Sequence, residues 1–135
     1  MRVYTCPNLS LFIKYCQGDP LIKFLPHEIL NLSFQTDAPN VTTTTTSYTR
    51  SISNDVTLLC AYDANPAATS VTWTKDGQTV DVINSDGKYT GGSVNVPSLT
   101  IISLGSDDGG VYVCTVENNQ GQGIGSSITL TIECK

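Results

Sequence analysis

The chain has 135 residues, 39% of them hydrophobic, which gives room for one ordinary domain and an extension. Its net charge of −5 argues against nucleic acid or an anionic membrane surface as the main partner. No segment approaches the ~20 apolar residues that a helix needs to span a bilayer. We therefore expect no nucleic-acid partner and no membrane span in this chain.

A change in charge near residue 36 marks the predicted domain boundary. Residues 1–36 carry three basic and two acidic side chains, whereas residues 37–133 carry three basic and ten acidic ones. The first segment is rich in apolar residues but has no regular period, and three prolines interrupt it. We therefore expect a poorly structured N-terminal extension over 1–36 and a folded domain over 37–133.

The first predicted strand of the domain is a run of five threonines. Residues 42–46 are all Thr, with Val41 before them and Tyr48 shortly after. Such a run is typical either of an edge β-strand, since Thr is a strong strand former, or of a mucin-like stalk. The flanking Val41 and Tyr48 favour the strand.

Short stretches with alternating apolar residues follow, bounded by turn residues at the spacing of a β-sandwich. This period of two predicts strands with one buried face. The residues expected to face the core are, in chain order, Val56, Leu58 and Cys60, then Val71 and Trp73, then Leu99 and Ile101, then Tyr112, Cys114 and Val116, and finally Ile128, Leu130 and Ile132.

Between Trp73 and Leu99 the alternation of apolar residues is less regular. A hairpin turn is predicted at Lys75-Asp76-Gly77, because Asp-Gly tolerates the positive φ angles of a tight turn. Val80, Val82 and Ile83 predict a short strand after this turn, and Lys88-Tyr89 a further weak one.

Four features along residues 39–133 resemble the immunoglobulin superfamily, in particular its I-set type. They are Cys60 with the single tryptophan, Trp73, thirteen residues later; the run Asp108-x-Gly110-x-Tyr112-x-Cys114; the run Cys114-x-Val116-x-Asn118-x-x-Gly121, in which Val116 replaces the usual Ala; and Ser98-Leu99-x-Ile101. The stretch is also similar to the tandem repeats of invertebrate adhesion proteins such as hemicentin-like molecules.

The resemblance implies an all-β fold, a Greek-key β-sandwich of two antiparallel sheets. It implies a disulfide between Cys60 and Cys114, with Trp73 packed against the sulfurs and the Tyr112 hydroxyl turned back to the backbone. It also implies an ion pair between Asp108 and Lys88. All of these roles are structural.

The function that the resemblance implies is non-catalytic protein–protein recognition or cell adhesion, in a fragment of a larger extracellular protein with several immunoglobulin domains. Two alternatives remain: a mechanical spacer in an array of domains, and a fragment of an innate immune receptor. The expected partners are another protein or neighbouring immunoglobulin domains, with contact between two copies as one case.

Three surfaces are candidates for that contact, because such domains bind through end loops and sheet faces. They are the loop over 118–125, with Asn118, Asn119, Gln120, Gly121 and Gln122; the loop over 64–69; and a sheet face with Thr72, Thr74, Val111 and Val113.

No catalytic, cofactor or metal site is predicted. His27 is the single histidine and lies outside the domain, so a Ser-His-Asp or Cys-His mechanism has no base within it. Asp107-Asp108 lacks the further oxygen ligands that a calcium site gathers. Gly121-x-Gly123 lies in a predicted hairpin with no helix after it, unlike a phosphate-binding loop. We therefore expect the chain not to be an enzyme.

The predicted disulfide requires an oxidising compartment, so we expect an extracellular location. The amino terminus makes a poor signal peptide, because Pro7, Asn8 and Lys14 interrupt its apolar residues, and this favours a fragment. Cys6, Cys16 and Cys134 are left without an assigned pairing. Of the sequons at Asn8, Asn31 and Asn40, the one at Asn40 is the best candidate for glycosylation, because it lies at the start of the domain.

Overall fold

The structure, a computed structural model, describes residues 37–134. The predicted extension over 1–36 lies outside these residues, and so do Cys6, Cys16, His27 and the sequons at Asn8 and Asn31. Within the described part the strands are β1 Asn40–Thr42, β2 Ser47–Ser51, β3 Val56–Leu58, β4 Ala61–Asp63, β5 Ser70–Lys75, β6 Gln78–Thr79, β7 Tyr89–Gly91, β8 Leu99–Ile101, β9 Gly110–Asn118, β10 Gly121–Ile124 and β11 Ile128–Glu133, with a 3₁₀ turn at Ser106–Asp108 before β9.

The strands form two layers, as the sandwich prediction requires. One layer has six strands in the order β2-β11-β9-β5-β6, with β10 also paired to β9. The other contains the three-stranded sheet β3-β8-β7 and a separate two-stranded sheet, β1-β4, in which β4 follows β3 after only Leu59 and Cys60. Among the strands of residues 37–134 all pairs are antiparallel except one: β2 runs parallel to β11, with Tyr48 opposite Leu130. The all-β Greek-key sandwich is therefore confirmed, with one parallel pair inside an otherwise antiparallel layer.

The threonine run does not form the continuous strand that its propensity predicts. Thr42 ends β1, which pairs with β4, whereas Ser47 begins β2, which pairs with β11 in the opposite layer. Residues 43–46 belong to neither strand. The chain crosses from one layer to the other within this run, and a strand cannot stay straight while changing partners. The strand predicted over 42–46 is therefore wrong beyond Thr42.

The core lies between the two layers and uses the predicted alternation. Its fully buried residues come from both layers, and Tyr48 of β2 and Leu104 also contribute to it. Val71 and Ile132 are half-buried and pack against the core. The thirteen buried hydrophobic residues are Tyr48, Val56, Leu58, Cys60, Trp73, Leu99, Ile101, Leu104, Tyr112, Cys114, Val116, Ile128 and Leu130.

The region after the hairpin differs from the sequence prediction. Asp76 and Gly77 adopt φ angles of 48° and 82°, so the predicted tight turn is present. The strand after it, β6, ends at Thr79, and the strand predicted at Val80, Val82 and Ile83 is wrong. Val80 makes a last hydrogen bond to the Trp73 carbonyl at 2.9 Å, and Val82 lies beyond it. Both pack against the core, so burial rather than a continued strand produced the alternating pattern.

Between β3 and β4, backbone N–H groups donate to side-chain hydroxyls instead of to a neighbouring strand. Leu59 and Cys60 lie in neither strand. The Leu59 N–H donates to the Tyr48 hydroxyl at 3.3 Å, and the Cys60 N–H donates to the Ser98 hydroxyl at 3.1 Å. These bonds satisfy backbone donors beside the core, where an unpaired donor is costly.

Candidate protein-interaction surface

The residues that carry the family resemblance lie inside the domain. Cys60 and Cys114 form a disulfide, and Trp73 lies opposite Cys114 in the pairing of β5 with β9. Trp73 is 1% exposed, and its indole N–H donates to the Pro97 carbonyl at 2.8 Å. Leu58, Leu99 and Ile101 are buried around them. None of these side chains is accessible to a partner.

Tyr112 and Asp108 fix the turn that leads into β9. The buried Tyr112 hydroxyl donates to the Asp108 carbonyl at 2.7 Å. The Asp108 carboxylate accepts from Lys88 Nζ at 2.5 Å and from the Gly105 N–H at 2.7 Å. Lys88 Nζ also donates to the Ser103 carbonyl at 3.0 Å. The polar groups of this corner are therefore used within the domain.

Replacing Tyr112 with Phe is expected to lower the free energy of unfolding by about 1–3 kcal/mol, because the buried Asp108 carbonyl loses its donor. Urea unfolding followed by circular dichroism measures the loss. Tyr89→Phe is the control, since the hydroxyl of this half-buried tyrosine donates to no group in the described chain, and its expected change is within about 0.5 kcal/mol. Equal losses in the two variants would contradict the role of the Tyr112 hydroxyl.

Alkaline pH is expected to destabilise the domain through Tyr112. Burial, with the nearby Tyr89, Asp108 and Asp76, raises the pKa of Tyr112 above the 10.0 of a free tyrosine. The unfolded chain therefore loses this proton first, so the stabilisation is complete below pH 10.0 and is lost above it, by about 1.4 kcal/mol per pH unit. The free energy of unfolding, measured with urea at increasing pH, should fall less steeply for Tyr112→Phe than for the unchanged protein. An identical slope in both proteins would contradict the prediction.

Two of the predicted loops meet at one end of the sandwich. Asn118 is 3% exposed, and its amide Nδ2 donates to the carbonyls of Asp37 and Pro66 at 2.8 and 3.0 Å. Its Oδ1 accepts from the N–H groups of Gln120 and Gly121. The Asn118 side chain therefore holds the two loops and the start of the domain together. Because it is buried, Asn118 supports the candidate binding loop from inside the domain and leaves contact with a partner to its exposed neighbours.

The remaining members of that loop are divided between strand and turn. Gly121 and Gln122 belong to β10, while Asn119 and Gln120 form the exposed turn before it. A Cβ at Gly123 would lie 1.8 Å from the Pro39 carbonyl oxygen, so only glycine lets β10 pass the segment before β1. The exposed polar groups left for contact here are Asn119, Gln120 and Gln122.

The predicted sheet face is present on the outer side of β5 and β9. Trp73 points inward, so its neighbours Thr72 and Thr74 lie on the outer side. In the strand register Thr74 is opposite Val113 and Thr72 is opposite Thr115. Val111 is 39% exposed on the same side of β9. The structure therefore brings the four predicted residues together.

Ile124 extends this face and was missed by the sequence analysis. It lies opposite Thr115 in the pairing of β10 with β9 and is 67% exposed. Sequence alternation concealed it because the inward positions on either side are Gly123 and Gly125, which have no side chains to signal burial. We call the complete surface the threonine–valine face, consisting of Thr72, Thr74, Val111, Val113, Thr115 and Ile124.

The threonine–valine face carries no charged side chain, although residues 37–133 contain ten acidic and three basic ones. Glu117 borders the face at one end, opposite Ser70 and Gln122. Lys75 lies at the other end, where its ammonium donates to the Asp107 carbonyl. An uncharged surface can lose water on binding at a lower cost than a charged one.

The described residues contain no group of three or more His, Cys, Asp and Glu side chains able to hold a metal ion. Over the same range no helix is long and apolar enough to cross a membrane. Asn40 is exposed at the start of β1, opposite Asp63, and Cys134 is an exposed free thiol directly after β11.

The family model for the immunoglobulin domain matches residues 38–118. The chain belongs to the immunoglobulin domain family. Neural cell adhesion molecule 1 of Gallus gallus is 33% identical over 78 residues, which are 58% of this chain and 7% of that protein. The titin homolog of Caenorhabditis elegans is 37% identical over 67 residues, 50% of this chain and 0% of that very long protein after rounding.

Solved structures support the fold of this immunoglobulin domain. A structure described as tandem Ig repeats of Dlar superposes with a TM-score of 0.65 at 22% identity, over 74% of this chain and 50% of that one. At this identity the likeness shows the fold alone. The chain spans less than a tenth of the length of the curated relatives described above.

Proposed function

We propose that this immunoglobulin domain is a non-catalytic recognition or adhesion module that works outside the cell as part of a longer protein. The observation that carries the proposal is the threonine–valine face, a partly exposed and uncharged surface on an otherwise acidic domain, with Val111 and Ile124 as its most exposed apolar residues. The likeness to neural cell adhesion molecule 1, whose name describes an adhesion protein, supports it.

A second copy of the chain is the partner that this face fits best. When two such faces meet, Val111, Val113 and Ile124 of each copy lose water without burying an unpaired charge. Two acidic side chains border the contact, Glu117 at one end and Asp76 at the other, where its carboxylate accepts from the Val111 N–H at 2.9 Å. Partial burial of the three apolar side chains gives a weak pairwise contact, which becomes strong when many copies are displayed together.

The test is the aggregation of beads that carry the full chain at high density. Beads with the unchanged protein are expected to aggregate, and beads with Ile124→Glu are expected to stay dispersed, because a carboxylate would be buried without a partner. Ile83→Glu is the matched control, since Ile83 is 93% exposed and lies outside the threonine–valine face. This control should aggregate like the unchanged protein.

Failure of the unchanged beads to aggregate would overturn the contact between copies. Equal aggregation of the Ile124→Glu beads would show that the contact uses another surface. Circular dichroism of each variant confirms that the change in binding does not come from loss of folding.

A second candidate function is that of a spacer between neighbouring domains. The likeness to the titin homolog favours it, and so does the firm attachment of Asp37. The N–H of Asp37 donates to the Asn65 carbonyl at 3.0 Å while its carbonyl accepts from Asn118. A chain fixed in this way at the start of the domain would transmit force or orientation. A spacer predicts no aggregation of beads that carry this domain.

A further inference from the structure

We define residues 43–46 as the threonine tract. The presence of threonine at these positions is not explained by any role in the sandwich. Its residues lie between β1 and β2, in neither strand. Thr44 and Thr46 are exposed, and Thr43 and Thr45 are half-buried. The strand-forming tendency of threonine, which explains such runs at sheet edges, is therefore not used here.

Most hydroxyl groups of the tract are also unused by the fold. Only Thr43 makes a side-chain hydrogen bond, a long one of 3.5 Å to the Ser126 carbonyl. In the described chain the hydroxyls of Thr44, Thr45 and Thr46 have no hydrogen-bond partner. Thr44 and Thr46 thus combine an exposed side chain with a free hydroxyl.

The backbone of the tract is held at one end and free in the middle. The Thr46 carbonyl accepts from the Thr129 N–H at 2.9 Å, which fixes the tract where β2 begins. Thr44 and Thr45 make no backbone hydrogen bond to another part of the described structure. An enzyme can therefore bind this segment in an extended form without breaking the sheet.

We propose that the threonine tract is an acceptor of O-linked sugar, with Thr44 and Thr46 as its main sites. In the transfer, the threonine oxygen attacks the anomeric carbon of a nucleoside-diphosphate sugar. The bond from that carbon to the diphosphate breaks with its electron pair, and the hydroxyl proton passes to the transferase. Clustered hydroxyl residues are typical of such acceptors.

Exposure alone does not select these sites. Thr129 and Thr131 are also exposed, but they lie in β11, which is paired with β2 along its length. Their backbone cannot leave the sheet without breaking that pairing, so the same transferase should not reach them. They are the natural controls within the chain.

A sugar on the tract would protect a sheet edge. β2 is the outermost strand of its layer, and an unpaired strand edge invites pairing with another chain. A bulky hydrophilic group at the residues leading into β2 blocks that pairing. This inference rests on the extracellular location in the proposed function.

The experiment expresses the full chain behind a cleavable secretion leader in animal cells that make O-linked sugars. Mass spectrometry with fragmentation that preserves the sugar–protein bond then locates each modification. Sugar is expected on Thr44 and Thr46 and not on Thr129 or Thr131. A variant with T44A, T45A and T46A should lose all of this added mass, and a variant with T129A and T131A should keep it.

A bare threonine tract in secreted protein with an oxidised Cys60–Cys114 bond would overturn the inference. Phosphate on the tract in place of sugar would do the same. The site map of the unchanged protein does not depend on any variant folding. Because the leader brings the chain to the secretory pathway whatever its native location, failure here is distinct from failure of the proposed function, which the bead experiment tests.

Discussion

Trp73→Ala is expected to lower the free energy of unfolding by about 3–5 kcal/mol, a large part of the stability of a small domain. The indole is 1% exposed and fills the centre of the core beside Cys114, so its removal leaves a cavity between the two layers. Gly92 packs directly against the indole, because a Cβ there would lie only 3.2 Å from the ring. Urea unfolding at 25 °C measures the loss.

The probe for this experiment must be circular dichroism, because Trp73 is the single tryptophan and its fluorescence disappears with it. Trp73→Phe is the graded control. It keeps most of the apolar volume but loses the donor to the Pro97 carbonyl, so a smaller cost of roughly 1–3 kcal/mol is expected. A loss below about 1 kcal/mol for Trp73→Ala would show that the residue is not central to the core.

Removing the disulfide by the double change C60A and C114A is expected to cost about 4 kcal/mol. The bond closes a loop of 54 residues, and its loss returns the corresponding conformational freedom to the unfolded chain. The two alanines also leave unfilled volume beside Trp73, which adds to the cost. Urea unfolding compares the double variant with the unchanged protein under non-reducing conditions.

Cys134→Ser is the matched control for this prediction, because Cys134 is an exposed free thiol after the last strand. Its expected change is within about 0.5 kcal/mol. A double variant as stable as this control would contradict the structural role of the disulfide.

The buried faces of the strands were predictable because their signal is local. Val56 and Leu58, or Tyr112, Cys114 and Val116, alternate along a strand that is buried on one side only. This period of two does not depend on which strand lies alongside.

Two elements were not predictable, since they depend on distant partners. The threonine run has the propensity of a strand, but β1 pairs with Ala61–Asp63 and β2 pairs with Ile128–Glu133 in the opposite layer. The point at which the chain crosses from one layer to the other, between β1 and β2, is set by these distant partners and not by the local sequence. Val80 and Val82 alternate like a strand because they cover the rim of the core, while the hydrogen bonding of a strand ends at Thr79 and Val80.

The threonine–valine face was predictable only in part, because alternation along one strand is a local signal and pairing between strands is not. Val111 and Val113 follow from alternation along β9, whereas Ile124 joins the face through the pairing of β10 with β9 between two glycines. The internal role of Asn118 was not predictable, because nothing in its neighbourhood along the chain shows that its amide donates to Asp37 and Pro66. Long-range hydrogen bonds of this kind leave no local pattern.

The most direct test of an extracellular recognition domain is the redox state of Cys60 and Cys114 in protein isolated from its native source. Free thiols are alkylated before reduction, and a second alkylating reagent of different mass is added after it. Both cysteines are expected to carry only the second label, because the disulfide persists in an oxidising compartment. Labelling of both by the first reagent would contradict the extracellular location and would favour the spacer.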